Sequence, residues 1–378
     1  DAQTIPPRQL TMGEITDSEA PATIELPFKQ EDWRAGFGGS VKRLDPFKYA
    51  KGIKTDASED SIIKLARSLQ ATTYDTAPSV GTTHGPGGFA TSGSLNLWHF
   101  ADDDTGAITA TFLWNFTTRQ WIRKADMALA NGAVMGNGLE YNGNVVVPNL
   151  GLVATEGDPG RYIYQAIAAA AWTASSLAAN RFKFFAVDSG GTLFGGYSGT
   201  AKNAVRTSSD PTDAGAWSSA YTVGDTGEEI TALVGGYGTL VVVCKEGGLW
   251  TITSAGVVVN LDKGYYRSQR HTRNFRGAIL FQGKVLLPLG EGGMDEIDEN
   301  GFIRRISFSL VAPNFTEIDG QVLSLAAAPT GVYALVEDGT DLYLLFGEWR
   351  FISGVADYRW HQIAKSTWTG TAADKFRM

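Results

Sequence analysis

Along most of this chain, apolar residues come in short runs that alternate with polar ones and stop at glycines. One run opens at Gly238 with Leu240-Val241-Val242-Val243-Cys244, turns through Lys245-Glu246-Gly247-Gly248, and resumes as Leu249-Trp250-Thr251-Ile252. The same layout returns from Gly283: Val285-Leu286-Leu287-Pro288, then Glu291-Gly292-Gly293, then Met294-Asp295-Glu296-Ile297. The copies align without a gap, 283 − 238 = 45 residues apart. Two apolar runs around paired glycines predict a β-hairpin, because glycine supplies the positive φ that a tight turn requires.

Comparable hairpins start near residues 93, 143, 181 and 331, and further strand runs at 230–234, 278–281 and 323–326 precede three of the six. Asp188-Ser189-Gly190-Gly191 and Asp338-Gly339 mark two of the turns. A hairpin recurring every ~45 residues with flanking strands is the layout of a four-stranded blade. The expected fold class is all-β: a β-propeller of six or seven four-stranded blades spanning residues 61–378. Six blades are visible in the repeat. A seventh would be shared between residues 24–60 and the tail from Ala364, closing the ring and removing exposed edges.

Residues 1–60 read as an extended N-terminal arm that can also supply the closing strand. Pro6, Pro7 and Pro21 interrupt residues 1–23, which show no periodicity. That segment is either a disordered tail or an arm lying on a neighbouring subunit. Residues 58–71 fit a helix through Ile62, Leu65, Ala66 and Leu69, or equally a strand through Ile62-Ile63-Lys64-Leu65.

Composition narrows the function classes. There are 45 glycines and 13 prolines in 378 residues, which suits an all-β chain rich in turns. Net charge is −8 with no basic block, against the clustered positive face of a nucleic-acid binder. No apolar run approaches the ~20 residues that span a bilayer. The first residues lack the charged and apolar regions of a signal peptide. Cys244, the single cysteine, lies in an apolar run and is expected to be a small buried hydrophobe. The tryptophans, among them Trp114, Trp121, Trp172, Trp217, Trp250, Trp349 and Trp360, are expected to pack between blades; the alternative is a platform for sugar rings.

Catalytic signatures are missing from the pattern. Gly196-Tyr197-Ser198-Gly199 is one residue short of a serine elbow, and there is neither a paired-histidine zinc motif nor a P-loop. His84, His99, His271 and His361 are widely separated. No catalytic, cofactor-binding or metal-ligating residue is assigned, and no cofactor is expected. Asp102-Asp103-Asp104 is expected to be a solvated hairpin tip, and Glu228-Glu229 and Asp295-Glu296 exposed turn charges. Asn115-Phe116-Thr117 and Asn314-Phe315-Thr316 match a glycosylation acceptor by chance.

Ser208-Ser209-Asp210-Pro211-Thr212-Asp213-Ala214-Gly215-Ala216-Trp217 is similar to the Asp-box of sialidase blades, with a longer spacing to the tryptophan. Together with Tyr221-Thr222-Val223-Gly224-Asp225, the stretch from Ile230 to Trp250, and Tyr358-Arg359-Trp360-His361-Gln362-Ile363, it resembles bacteriophage virion proteins with β-propeller folds, of the minor-tail or tail-fibre type. The likeness covers roughly residues 200–365. It implies a non-enzymatic structural protein of the phage tail, located in the virion and acting in assembly or host-surface contact. The implied partners are other virion proteins, further copies of the chain in an oligomer or ring, and a host-surface glycan or receptor. The alternative is a secreted carbohydrate-binding or glycoside-cleaving propeller, which rests on the tryptophans, the degenerate Asp-box and the acidic loops.

Overall fold

The computed structural model describes residues 55–56, 64–65 and, with interruptions, 73–367. The chain divides into two units, Asp1–Ala66 and Arg67–Met378. In the first, β1 (Thr55–Asp56) pairs antiparallel with β2 (Lys64–Leu65). Lys64 and Leu65 are therefore extended, which favours the strand reading of that stretch. The rest of the expected arm lies outside the described residues.

The second unit is a β-propeller of six blades. Blade 1 holds β3 (Thr73–Tyr74), β4 (Pro86–Ser92), β5 (Asn96–Asp103), β6 (Ile108–Asn115) and β7 (Gln120–Arg123). Four of these form an antiparallel meander, and β3 is added parallel to β7 on its outer edge. Blade 2 is built from β8 (Ala133–Met135), β9 (Leu139–Tyr141), β10 (Asn144–Val147), β11 (Asn149–Leu152), β12 (Ile163–Ala166) and β13 (Thr173–Ala174). Its first hairpin breaks at Gly136 and Pro148, so β8 and β11 form a separate pair beside the sheet β9-β10-β12-β13.

The remaining blades are simple meanders in chain order. Blade 3 comprises β14 (Phe184–Val187), β15 (Leu193–Ser198), β16 (Ala201–Ser208) and β17 (Tyr221–Thr222). Blade 4 comprises β18 (Ile230–Tyr237), β19 (Leu240–Lys245), β20 (Gly248–Ile252) and β21 (Val258–Asp262). Blade 5 comprises β22 (Ile279–Phe281), β23 (Lys284–Pro288), β24 (Met294–Ile297) and β25 (Ile303–Ile306). Blade 6 comprises β26 (Gln321–Ala328), β27 (Gly331–Asp338), β28 (Asp341–Ile352) and β29 (Val355–Thr367). Ala364, expected to begin the tail of a seventh blade, is paired with Leu344 inside blade 6.

The two hairpins recognised from the 45-residue repeat are β19–β20 and β23–β24, with Cys244 opposite Leu249 and Leu286 opposite Glu296. One detail differs. Gly143, Gly238 and Gly283 do not open those hairpins; they close the turn before them, between the first and second strands. Asn142-Gly143 and Gln282-Gly283 both have positive φ at each residue, the geometry of a two-residue turn that follows strand twist.

A strand sends alternate side chains to opposite faces, and in this fold each face meets a neighbouring blade. In blade 4, Leu233, Val241 and Ile252 pack with Phe194 and Val205 of blade 3. Ala232, Val234, Val242 and Leu249 pack with Val285, Leu287 and Ile297 of blade 5. Equivalent shared cores join blades 1 and 2 around Phe100 and Val145, 2 and 3 around Tyr162 and Phe182, and 5 and 6 around Leu286 and Trp360.

First strands of adjacent blades approach closely where glycine replaces a side chain. A Cβ on Gly235 of blade 4 would lie 2.0 Å from the Val187 carbonyl oxygen of blade 3. Backbone cannot yield as a side-chain tip can. We expect Gly235→Ala to lower unfolding free energy by about 1–3 kcal/mol in urea titration, as overpacking does. Gly190→Ala, where the new carbon would stand at ordinary contact distance from Asp188, should stay within about 0.5 kcal/mol of the parent.

Candidate interaction face

An even number of antiparallel strands returns the chain to the same end of each blade. All turns between first and second strands, and between third and fourth, therefore lie at one end of the ring. Contacts between blades agree with this. The Tyr141 hydroxyl beside the first turn of blade 2 donates to the Gly191 carbonyl of blade 3 at 2.6 Å, and Asn142 donates to the Ser209 carbonyl at 2.9 Å. Tyr237 of blade 4 likewise donates to the Asp298 carbonyl of blade 5.

Two third-to-fourth turns are copies of one design. In blade 4 the Thr253 amide donates to the Val257 carbonyl, Gly256 to the Thr253 carbonyl, and the Val257 amide to Thr253 Oγ1. In blade 5 the same three bonds join Asp298, Gly301 and Phe302, with Asp298 Oδ1 as the side-chain acceptor at 2.9 Å. Gly256 and Gly301 each stand at φ 80°, where a side chain would be strained. The residue after each glycine points away from the core. Val257 is 58% and Phe302 74% exposed, and Phe116, on the corresponding turn of blade 1, is 59% exposed. Val259 and Ile303 continue the exposed apolar surface onto β21 and β25.

Blade 6 adds a ribbon at the same end. β27 pairs with β28 only as far as Glu348, and residues 349–352 continue paired with 355–358 of β29. The base of this extension is anchored to blade 5. Glu296 Oε1 accepts from Lys284 Nζ at 2.9 Å and lies 3.2 Å from Arg304, while Oε2 accepts from the Tyr358 hydroxyl at 3.1 Å. Lys284 Nζ also sits 4.3 Å from the centre of the Trp349 ring, which packs on Tyr358 at 4.8 Å.

Glu296 corrects an expectation. Asp295 and Glu296 are not exposed turn charges: both are buried in β24, and neighbouring basic residues neutralise them, Arg305 binding Asp295 at 2.7 Å. Glu229 is buried as well and pairs with Lys202. Asp102 and Asp103 are strand residues of β5, opposite Thr109 and Ile108. Of the two described histidines, His99 is buried in blade 1 and His361 in blade 6. His84, His271 and Asn314 lie outside the described residues. Among the described residues no group of three or more His, Cys, Asp or Glu is placed to hold a metal.

The Asp-box-like stretch forms a corner between the third and fourth strands of blade 3. Ser208 Oγ accepts from the Asp210 amide at 3.1 Å and donates to the Asp210 carbonyl at 2.9 Å. The Thr212 hydroxyl and then its amide hold the Asp210 carboxyl below its usual range. Asp213 caps a short 3-10 turn by accepting from the Gly215 amide at 2.8 Å. Trp217 is buried against Phe182, with ring centres 4.5 Å apart, and donates to the Tyr162 hydroxyl of blade 2 at 3.0 Å. That hydroxyl donates in turn to the Pro211 carbonyl at 2.6 Å. Burial pushes the Tyr162 phenol above its ordinary value, so it stays protonated as this donor. The corner thus clamps blade 3 to blade 2. Among the described tryptophans, Trp98, Trp121, Trp217 and Trp360 are buried, and the rest are half-buried between or beside blades.

No protein-family model and no curated protein matches the chain. Solved propellers do. YCF48 bound to D1 peptide is 12% identical, at TM-score 0.50, with 78% of this chain and 86% of that one covered. Hydrazine synthase of Kuenenia stuttgartiensis is 14% identical at TM-score 0.50, covering 73% and 80%. A protein from Lactobacillus plantarum is 13% identical at TM-score 0.50, covering 79% and 89%. At these identities the likeness concerns the fold alone.

Two substitutions test the clamps. Tyr162→Phe leaves a buried indole N–H and a carbonyl without their partner, and should lower stability by about 1–3 kcal/mol in urea unfolding. Glu296→Gln removes the charge facing Lys284 and Arg304, and should speed amide exchange over residues 349–352 while exchange in blade 3 stays unchanged.

Proposed function

We propose that this chain is a non-enzymatic structural protein of a bacteriophage virion, a tail-associated propeller whose turn-bearing end contacts neighbouring virion proteins or the host surface. The observation that carries this reading is the exposure of Phe116, Val257 and Phe302 on turns at one end of the ring. Exposed apolar side chains of this kind are removed from water when a partner covers them. The segments between Ser208 and Ile363 that resemble phage tail propellers supply the particular assembly. A carbohydrate-binding or glycoside-cleaving propeller is the second reading, favoured by the Asp-box-like corner. Against it, the polar groups of that corner bond within the chain, and the described tryptophans serve packing.

Mass spectrometry of purified phage particles tests the proposal. The chain should be found at stoichiometric level, and Phe116→Ser with Phe302→Ser should fold normally yet fail to enter particles. Absence from particles would overturn it. Turnover on a panel of chromogenic glycosides, lost on replacing one carboxylate, would establish the second reading instead.

A further inference from the structure

His99 lies in β5 on the face of blade 1 opposite Trp98 and Phe100, and is 4% exposed. Its ring stacks on Phe89 with centres 4.8 Å apart, and Trp121 and Phe112 stand at 5.3 and 6.0 Å. Nδ1 is 3.3 Å from the Tyr74 hydroxyl, and Nε2 makes no hydrogen bond among the described residues. Whichever nitrogen carries the proton, one polar position of the ring is buried without a partner.

Tyr74 belongs to β3. That strand is two residues long and is the one parallel addition to a blade among the described residues. Its backbone hold is slight: pairing with Gln120 and Trp121, the Asp75 amide donating to the Trp121 carbonyl at 3.0 Å, and Asp75 Oδ1 accepting from the Arg123 amide at 2.9 Å. The Tyr74 side chain supplies the rest, edge-on to Phe112 at 4.9 Å and bonded to His99.

We propose that His99 is a proton-operated latch for β3, which stays docked while the imidazole is neutral and lifts away when the ring gains a second proton. Among the described residues, the elements packed on the ring offer it no counter-charge. β4 and β6 carry no titratable side chain. β3 brings the Tyr74 phenol, which burial raises above its ordinary value and keeps neutral, followed by exposed Asp75. β7 brings Arg123, whose guanidinium is engaged with Asp126 at 3.0 and 3.1 Å. Asp102 and Asp103 stand further along β5 itself.

Burial lowers the His99 imidazole to about 4, from an ordinary 6.5. The aromatic faces attract an imidazolium weakly, and loss of water outweighs them. The latch requires that lifting β3 opens the ring to water, so that it titrates closer to its ordinary value. Docking is therefore unaffected above about pH 6.5, weakens roughly tenfold per pH unit below it, and levels off near pH 4.

Amide exchange of residues 73–75 in the full chain, corrected for the intrinsic pH dependence of exchange, tests this. Protection should fall by up to roughly 70-fold between about pH 7.5 and 4.5, while the strands of blade 4 keep theirs. His99→Phe, or His99→Leu if the larger ring does not fold, should abolish that dependence. Tyr74→Phe should weaken protection at every pH and keep the slope. Constant protection in the parent, an equal loss in the non-titrating variants, or a loss shared with blade 4 would each overturn the latch.

Discussion

A blade of four strands cannot bury its own faces. Each sheet is apolar on both sides, and each side is dry only when another blade lies against it. Blade 4 makes this plain, with Val241 turned to one neighbour and Val242 to the other. The constraint also governs charge. Glu296 is tolerated between blades 5 and 6 because Lys284, Arg304 and Tyr358 surround it, and an isolated carboxylate there would be strongly unfavourable. Polar residues between blades are thus drawn into clamps, and the same holds for Tyr162 and Trp217 between blades 2 and 3.

Much of this architecture was legible in the residues. Alternation and glycine placement are local signals, and the gapless 45-residue repeat, with the runs before it, located the first three strands of blades 4 and 5. Turn closure was off by one connection at Gly143, Gly238 and Gly283, because a glycine marks a bend without stating which strands it joins. Asp295 and Glu296 read as surface charges because cross-strand partners are distant in sequence and periodicity does not reveal them. β3 left no trace of its own: a two-residue parallel addition depends on the edge it meets.

The candidate interaction face was less legible still. Phe116, Val257 and Phe302 are ordinary apolar residues in a chain where 43% are apolar. Only the meander topology puts their turns at one end, and only the hydrogen-bonded turn directs them outward. The Asp-box-like stretch shows the opposite case. Its composition suggested sugar chemistry, and its geometry turns out to be a fastening between sheets.

The paired turns at Thr253–Val257 and Asp298–Phe302 carry an evolutionary consequence. Their shape is set by one glycine and one side-chain acceptor, and the residue that closes each turn takes part through its backbone, while its side chain points to solvent. Valine in one copy and phenylalanine in the other show that the same bonded turn accepts side chains of different size at this position. Recognition can therefore change there while stability stays with the buried seams.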